Sequence, residues 1–175
     1  MTLAILQARM ASTRMPGKVM APVLGEPMIW RQLERIRSAR SVNKVVVATS
    51  TAESDDALAA FLLGRGCSVY RGEHEDLVAR FAACAGAFDA DRIVRLKADC
   101  PLVDPQIIDA AVALSIKTGA AYTSNCEVRS YPRGLEVEVI TAEALSAAHR
   151  EAETPEDRYQ VYLTNDQTQD KIGRA

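Results

Sequence analysis

The chain has 175 residues, a net charge of −2 and 48% apolar residues, which is typical of a globular protein with a buried core and the length of one domain. No apolar run approaches the roughly 18 residues of a membrane span, and the N-terminus lacks the pattern of a signal peptide, so we expect a cytoplasmic protein. The four cysteines lie far apart with no CxxC pair, and the two histidines are near none of them in a metal-finger spacing, which argues against a disulfide framework and a zinc site.

The charge is unevenly distributed along the chain. Residues 1–44 contain eight Lys/Arg and two Asp/Glu, so an anion would bind at this end. Only 5% of the residues are aromatic and the basic residues form no run, whereas nucleic-acid surfaces interleave basic stripes with stacking aromatics. We therefore expect a small, highly charged anion as the ligand, and no nucleic acid.

Short β-rich runs alternate with segments of helical period, which predicts β-α units and a mostly parallel sheet. The predicted strands are Leu3 to Gln7, Val45 to Thr49, Ser68 to Arg71, Arg92 to Leu96, Ala121 to Ser124 and Glu136 to Ile140. We expect an α/β fold, a three-layer α/β/α sandwich, formed as a single domain over residues 1–175.

Helices are predicted between these strands. They are a helix from Met28 to Arg40, one that Ser54 caps and Gly66 ends, one from about Glu75 to Phe88, one that begins at Asp104-Pro105 and one that Thr141 caps. In the first, Ile29, Leu33 and Ile36 share one face, which should pack on the sheet. In the second, Asp55 and Asp56 suit the positive end of the helix dipole.

The loop after the first strand concentrates groups that bind polyphosphate. Between Gln7 and Lys18, QARMASTRMPGK, it contains Arg9, Ser12, Thr13, Arg14, Gly17 and Lys18. Arg presents a planar fork to phosphate oxygens, Lys a point charge, and the Pro-Gly turn lets backbone N–H groups approach. The spacing is neither GxGxxG nor the P-loop GxxxxGK[ST]. The alternative is a basic, solvated surface turn, which composition alone leaves open.

Acidic residues follow two later strands. Asp99, at the end of the fourth predicted strand, is a candidate ligand of Mg2+ that bridges nucleotide phosphates. Its alternative role is to form the turn before Pro101, and Asp104 fits a helix cap better than a ligand. In the GLEVEV strand, Glu136 and Glu138 are two apart and share a face, which suggests a second metal attachment, although an ordinary half-buried strand gives the same pattern.

Five segments in the same order resemble a known family. They are QARMASTRMPGK, LGEPMIWRQLERI, YRGEHEDLVARF, VRLKADCPLVDP and YPRGLEVEV. The chain is similar to the cytidylyltransferase-type proteins called spore coat polysaccharide biosynthesis protein F, which are related to the enzymes that activate 3-deoxy-manno-octulosonate and N-acylneuraminate as CMP-sugars. The resemblance implies a Rossmann-like nucleotide-diphospho-sugar transferase fold, CTP as donor, Mg2+ as cofactor and a sugar or sugar acid as acceptor. Surface polysaccharide biosynthesis is the implied role.

The resemblance also implies roles for individual residues. Arg9, Ser12, Arg14 and Lys18 match the triphosphate-binding segment, with Arg14 and Lys18 as the catalytic cations. Asp99 matches the metal-binding Asp. Leu6 and Ala8, through their backbone, and Arg71 with Gly72 match the region that receives the base.

The sequence departs from the family pattern at two places. Members usually read GLDVEV where this chain has Glu136, so the carboxylate is one methylene longer. Many members have an REHV-like stretch where this chain reads RYQV at 158–161, and they continue beyond residue 175. We expect the family's C-terminal segment to be absent, and the oligomeric state is open, with a homodimer among the alternatives.

These inferences lead to one hypothesis and two rivals. The hypothesis is attack by an acceptor hydroxyl on the α-phosphate of CTP with release of pyrophosphate, where the protein mainly positions groups and neutralises charge. The first rival is a glycosyltransferase that uses a nucleotide-sugar, against which stands the absence of DxD around Asp99. The second rival is a nucleotide-binding protein without catalytic activity.

Overall fold

The computed structural model describes residues 1–12, 15–126, 131–159 and 169–171, and for Tyr159 and residues 169–171 it describes only the backbone. The strands are β1 Thr2–Gln7, β2 Pro22–Val23, β3 Glu26–Pro27, β4 Lys44–Ser50, β5 Ser68–Gly72, β6 Arg92–Lys97, β7 Tyr122–Ser124, β8 Glu138–Thr141 and β9 Gln169–Lys171. The helices are α1 Met28–Ile36, α2 Asp56–Gly64, α3 Leu77–Ala87, α4 Pro105–Thr118, α5 Ala142–Glu151 and α6 Pro155–Tyr159. No described helix has the length and hydropathy needed to cross a membrane.

One sheet of seven strands organises the molecule, in the order β5-β4-β1-β6-β8-β7-β9. From β5 to β6 all neighbours are parallel, as predicted, because each strand is followed by a helix that returns the chain to the same end. β8 runs antiparallel to both β6 and β7, so the sheet is mixed on that side. The carboxyl ends of β1, β4 and β6 therefore lie together at one edge, where α/β proteins bind ligands.

Two apolar clusters cover the two faces of this sheet, which confirms the three-layer sandwich. Alternate residues of β1 divide between them, with Leu6 on the side of α1, α2 and α4 and Ile5 on the side of α3 and α5. Ile29, Leu33 and Ile36 of α1 are all buried, as the helical period predicted. Phe81 of α3 is fully buried on the opposite face.

Two helix caps are as predicted. The side chain of Asp104 accepts a hydrogen bond from Gln106 N at the start of α4, and that of Thr141 accepts one from Ala144 N at the start of α5. Each satisfies an N–H group that the first helical turn would otherwise leave unpaired.

Three predicted boundaries are wrong. α1 ends at Ile36 and not at Arg40, because the following turn uses i−3 hydrogen bonds and Asp109 then accepts from Arg40 N. Ser54 lies inside a 3-10 turn and caps nothing, since α2 begins after Asp55. Glu136 was predicted to begin a strand, whereas the observed strand β8 starts at Glu138. The β2-β3 hairpin, α6 and β9 were not predicted.

Candidate functional site

The chain beyond β1 forms a closed loop at the carboxyl edge of the sheet. Ala8 N still donates to Ala48 O of β4 (3.1 Å), after which the chain turns away. It returns where Gly17 N donates to Met10 O (2.9 Å), and Gly17 has φ +71°, a conformation that favours glycine. We call residues 9–18 the phosphate loop, after the ligand that the sequence predicts for them. Arg14, one of the two predicted catalytic cations, lies outside the described residues, as does Thr13.

Lys18 and Asp99 meet although 81 positions separate them in sequence. Lys18 follows the phosphate loop's glycine, Asp99 follows β6, and Nζ of Lys18 lies 2.8 Å from Oδ2 of Asp99. Partial burial alone would raise the pKa of Asp99, but the hydrogen bond and charge of Lys18 outweigh it and the pKa is lowered. The carboxyl group is therefore kept ionised, as a metal ligand must be.

α1 fixes both ends of the loop that carries Asp99. Nε2 of Gln32, a fully buried residue, donates to Lys97 O at 2.8 Å, and Nε of Arg35 donates to Val103 O at 2.7 Å. Between these points Ala98 N donates to Gln7 O of β1 (3.0 Å). The position of Asp99 is thus set by hydrogen bonds to the backbone on both sides of it.

Glu136 approaches Asp99 through the buried thiol of Cys100. The Cys100 Sγ atom lies 3.7 Å from Oδ1 of Asp99 and 3.9 Å from Oε2 of Glu136. Burial and these two carboxylates raise the pKa of the Cys100 thiol to about 12. Oε2 of Glu136 also accepts a hydrogen bond from Gly134 N at 2.6 Å. Two of the predicted metal-binding carboxylates therefore lie on either side of one side chain.

Glu138 lies in a different environment from Glu136. Its carboxylate is buried, forms an ion pair with Arg95 of β6 and accepts a hydrogen bond from the hydroxyl of Tyr122 at 3.1 Å. Burial and the charge of Glu138 raise the pKa of Tyr122. The two glutamates are two positions apart, yet Glu136 contacts the loop that carries Asp99, whereas Glu138 forms a buried polar cluster with Arg95 and Tyr122.

The residues expected near the base have mixed environments. Leu6 and Ala8 are buried, so only their backbone is available to a ligand. The guanidinium of Arg71 is engaged by its own chain, at 2.9 Å from Ser50 O, 3.0 Å from Ala52 O and 2.6 Å from a carboxylate oxygen of Asp56.

Gly72 lies in a tightly packed position at the end of β5. A Cβ there would come within 3.0 Å of both Arg80 Cγ and Tyr70 Cε1. A side chain at this point would therefore require Arg80 and Tyr70 to shift by a few tenths of an ångström. In the phosphate loop, Ser12 Oγ accepts a long hydrogen bond from Met15 N (3.4 Å), and Arg9 is half-buried.

The sequence did not predict the roles of two buried polar residues in this region. Gln32 appears in the sequence as one polar residue within an amphipathic helix, and Asp55 as an acidic residue at a helix start. In the structure, Asp55 is fully buried and its Oδ1 atom accepts a hydrogen bond from Met10 N in the phosphate loop (2.7 Å). No local pattern distinguishes such residues from solvated ones, because their partners lie on other elements.

The described residues contain no group of three or more His, Cys, Asp or Glu side chains that could hold a metal ion. What they offer is the pair of carboxylates Asp99 and Glu136. Mg2+ is commonly bound by one or two carboxylates together with substrate phosphates and water, so a pair beside a phosphate loop fits this ion.

Known proteins were compared with the chain. It is 35% identical over 166 residues to the spore coat polysaccharide biosynthesis protein SpsF of Bacillus subtilis, covering 93% of this chain and 68% of that protein. It is 41% identical over 110 residues to the 3-deoxy-manno-octulosonate cytidylyltransferase of Geobacter metallireducens, covering 63% of this chain and 42% of that protein. The chain thus spans about two thirds or less of these relatives' length.

Solved structures give the same result. A cytidylyltransferase from Leptospira borgpetersenii superimposes with a TM-score of 0.85 at 33% identity, covering 90% of this chain and 67% of that one. A CMP:2-keto-3-deoxy-manno-octonic acid synthetase in complex with CTP has a TM-score of 0.68 at 20% identity, covering 89% of this chain and 80% of that one. Together with the three layers, these matches confirm the Rossmann-like nucleotidyltransferase fold. The cytidylyltransferase family model matches residues 3–170, and the chain belongs to the cytidylyltransferase family.

Proposed function

We propose that this chain transfers CMP from CTP to a hydroxyl group of a sugar or sugar acid, with release of pyrophosphate. The observation that carries the proposal is the contact between Lys18 Nζ and Asp99 Oδ2 at 2.8 Å. It brings a cation of the phosphate loop to a carboxylate that could bind a metal, at the edge of the sheet where ligands of α/β proteins bind. A triphosphate with a divalent cation needs this combination of charges.

The phosphate loop supplies the groups for the triphosphate. Lys18 contacts Asp99, the carboxylate proposed as a metal ligand, and Arg9 and Ser12 precede Lys18 on the same loop. Arg14 is proposed as a second catalytic cation from the family resemblance. The backbone at Leu6, Ala8 and Gly72, at the ends of neighbouring strands, is proposed to receive the base. We assign Arg71 a supporting role there, because its guanidinium binds the backbone at Ser50 and Ala52.

Mg2+ would be held by Asp99 and Glu136. Both are carboxylates, which this hard cation prefers, and Cys100 lies in contact range of both. When bound, the ion would supply charge neutralisation for the phosphates. We exclude Glu138 from this set, because its charge is balanced by Arg95 inside the sheet.

The chemistry follows from this arrangement as an in-line displacement. The acceptor oxygen forms a bond to the α-phosphorus, the bond from that phosphorus to the bridging oxygen breaks, and pyrophosphate leaves. Lys18 would stabilise the negative charge that grows on the leaving phosphates, and its place on a fixed loop avoids reorganisation during the reaction. The proton of the acceptor hydroxyl is released to solvent as the bond to phosphorus forms.

The relatives support the choice of substrates. One relative is named as a 3-deoxy-manno-octulosonate cytidylyltransferase, and one structural neighbour was solved in complex with CTP. SpsF, which matches most of the chain, is named for spore coat polysaccharide biosynthesis. We therefore propose CTP before other nucleotides, a sugar acid as acceptor, and surface polysaccharide biosynthesis as the role.

A pyrophosphate-release assay tests the proposal. The chain is incubated with Mg2+, each of the four nucleoside triphosphates and a panel of sugar acids. We expect release that depends on CTP and on one acceptor, is abolished by EDTA and is restored by excess Mg2+. CTP binding without release would instead favour a nucleotide-binding protein without activity. Transfer from a preformed nucleotide-sugar in parallel reactions would favour a glycosyltransferase.

A further inference from the structure

Asp55 is a buried carboxylate for which the proposed chemistry has no use. It is fully buried, and it precedes α2 without capping that helix through its side chain. Burying a charge is unfavourable unless hydrogen bonds compensate for it. The partners of Asp55 therefore show which contact this residue serves.

The two carboxylate oxygens face two different segments. Oδ2 accepts hydrogen bonds from Thr49 Oγ1 (2.9 Å), Ser50 N (3.1 Å) and Ser50 Oγ (2.5 Å), all at the end of β4. Oδ1 accepts one from Met10 N in the phosphate loop at 2.7 Å. Asp55 thus connects the phosphate loop to the central sheet, and each of these four groups donates to its carboxylate.

The backbone of Met10 is held through both its N–H and its carbonyl group. Its N–H group donates to Asp55, and its carbonyl accepts from Gly17 N at 2.9 Å. Gly17 immediately precedes Lys18, whose ammonium contacts Asp99. A displacement of Met10 would therefore move both the outgoing and the returning part of the phosphate loop, including Lys18.

We propose that Asp55 is a positioning residue that holds the phosphate loop in the shape that binds the β- and γ-phosphates of a nucleoside triphosphate. This inference rests on the proposed function, because it needs a triphosphate at this loop. It predicts a selective effect. Loss of Asp55 weakens the binding of ligands with β- and γ-phosphates, whereas cytidine monophosphate, which lacks them, binds as before.

Asp55→Asn is the sharpest substitution. Asn has nearly the same shape, but Met10 N and Ser50 N both present N–H donors to the side chain. In either orientation the amide NH2 group therefore opposes one of these donors. A matched control is Asp109→Asn, since Asp109 likewise accepts from a serine N and Oγ, those of Ser41, at 2.9 and 2.6 Å, before the amino end of β4 and far from the site.

The experiment measures Kd by calorimetry for CTP with Mg2+ and for CMP, in wild type and both variants. In wild type we expect tighter binding of CTP than of CMP. In Asp55→Asn the Kd for CTP should rise roughly 10- to 100-fold, the scale of a misplaced binding group, while the Kd for CMP changes less than about threefold. Asp109→Asn should leave both constants at the wild-type values. Amide hydrogen exchange should be faster at Met10 in Asp55→Asn only.

The Kd values separate failure of the proposed function from failure of the inference about Asp55. If wild type does not prefer CTP over CMP, the proposed function fails and the inference fails with it. If wild type prefers CTP and Asp55→Asn keeps the same preference, only the inference is overturned, and Asp55 is a structural residue of the β4-α2 junction. Should Asp55→Asn not fold, Ser50→Ala removes one of the bonds to Oδ2. We then expect a severalfold rise in the Kd for CTP alone, and equal loss for both ligands would overturn the inference.

Discussion

The ammonium group of Lys18 contacts the carboxylate of Asp99 in the structure and would contact phosphate oxygens in the proposed complex. Lys18→Ala should lower the rate of pyrophosphate release on the order of 10²- to 10³-fold, the usual effect of removing a preorganised electrostatic donor. Steady-state pyrophosphate release measures it. Lys117→Ala, an exposed lysine in the last turn of α4, is the control and should keep the wild-type rate. An unchanged rate in Lys18→Ala would remove this residue from the mechanism.

Glu138 contributes to stability through a buried charge pair. The side chains of Arg95 and Glu138 are 8% and 7% exposed, so either charge alone would be buried without an opposite charge. Glu138→Gln should lower the free energy of unfolding by about 3–5 kcal/mol in urea titrations. The double variant Arg95→Met, Glu138→Leu should recover much of that loss. Glu34→Gln, in an exposed pair with Arg31, should change stability by less than about 1 kcal/mol.

This pair also distinguishes the two glutamates. A metal role for Glu138 would raise the Mg2+ concentration for half-maximal activity in the double variant, even where stability recovers. We expect that concentration to stay at the wild-type value.

The carboxyl group of Asp55 makes stability depend on pH. Burial would raise its pKa, but hydrogen bonds from Ser50, Met10 and Thr49 outweigh burial and the pKa is lowered. A carboxyl whose pKa is lower in the folded state contributes stability above its unfolded pKa, about 3.9, and loses it as pH falls through the folded value. The stability difference between wild type and Asp55→Asn, measured in urea at several pH values, should therefore shrink below about pH 4. A difference that is constant down to pH 2 would contradict this.

Among the elements, α1 does more than cover one face of the sheet. Its fully buried Gln32 donates to the backbone carbonyl of Lys97, two residues before Asp99. Gln32→Met keeps the volume but removes the hydrogen bond to that carbonyl, which should cost about 1–3 kcal/mol in the free energy of unfolding. In Gln32→Met the Mg2+ concentration for half-maximal pyrophosphate release should also rise, because Asp99 loses a contact that positions it.

A control on the same helix separates the two effects. Ser38→Ala removes an exposed hydrogen bond to Glu34 O just past the end of α1 and should change neither stability nor the Mg2+ requirement. If Gln32→Met loses stability but keeps the wild-type Mg2+ requirement, α1 supports the fold and not the position of Asp99.

At the largest scale, the sheet separates two apolar clusters. Ile36 belongs to the cluster under α1, α2 and α4, and Ile140 to the cluster under α3 and α5. Ile36→Val and Ile140→Val should each lower the free energy of unfolding by about 0.5–1.5 kcal/mol. Because the side chains share no partner, the losses should add within about 0.5 kcal/mol in the double variant, as measured by urea denaturation. Marked coupling would show that the two cores respond as one.

The sequence by itself determined the alternation of strands and helices, and with it the three layers. The buried positions of α1, the caps at Asp104 and Thr141 and the strand before the phosphate loop all follow from local patterns. Periodicity and capping depend on residues within a few positions of one another, so one chain without its fold is sufficient to find them. The same locality explains the error at the end of α1, where Asp109 of α4 accepts a hydrogen bond from Arg40 N.

The tertiary structure decided which polar residues meet. Two glutamates two positions apart have the same pattern in sequence, yet Glu136 contacts the Asp99 loop and Glu138 pairs with Arg95. Lys18 meets Asp99, and Asp55 meets Met10, because parallel strands bring their carboxyl ends to one edge of the sheet. Strand order and register set those encounters, and both depend on packing over the whole sheet rather than on any local segment.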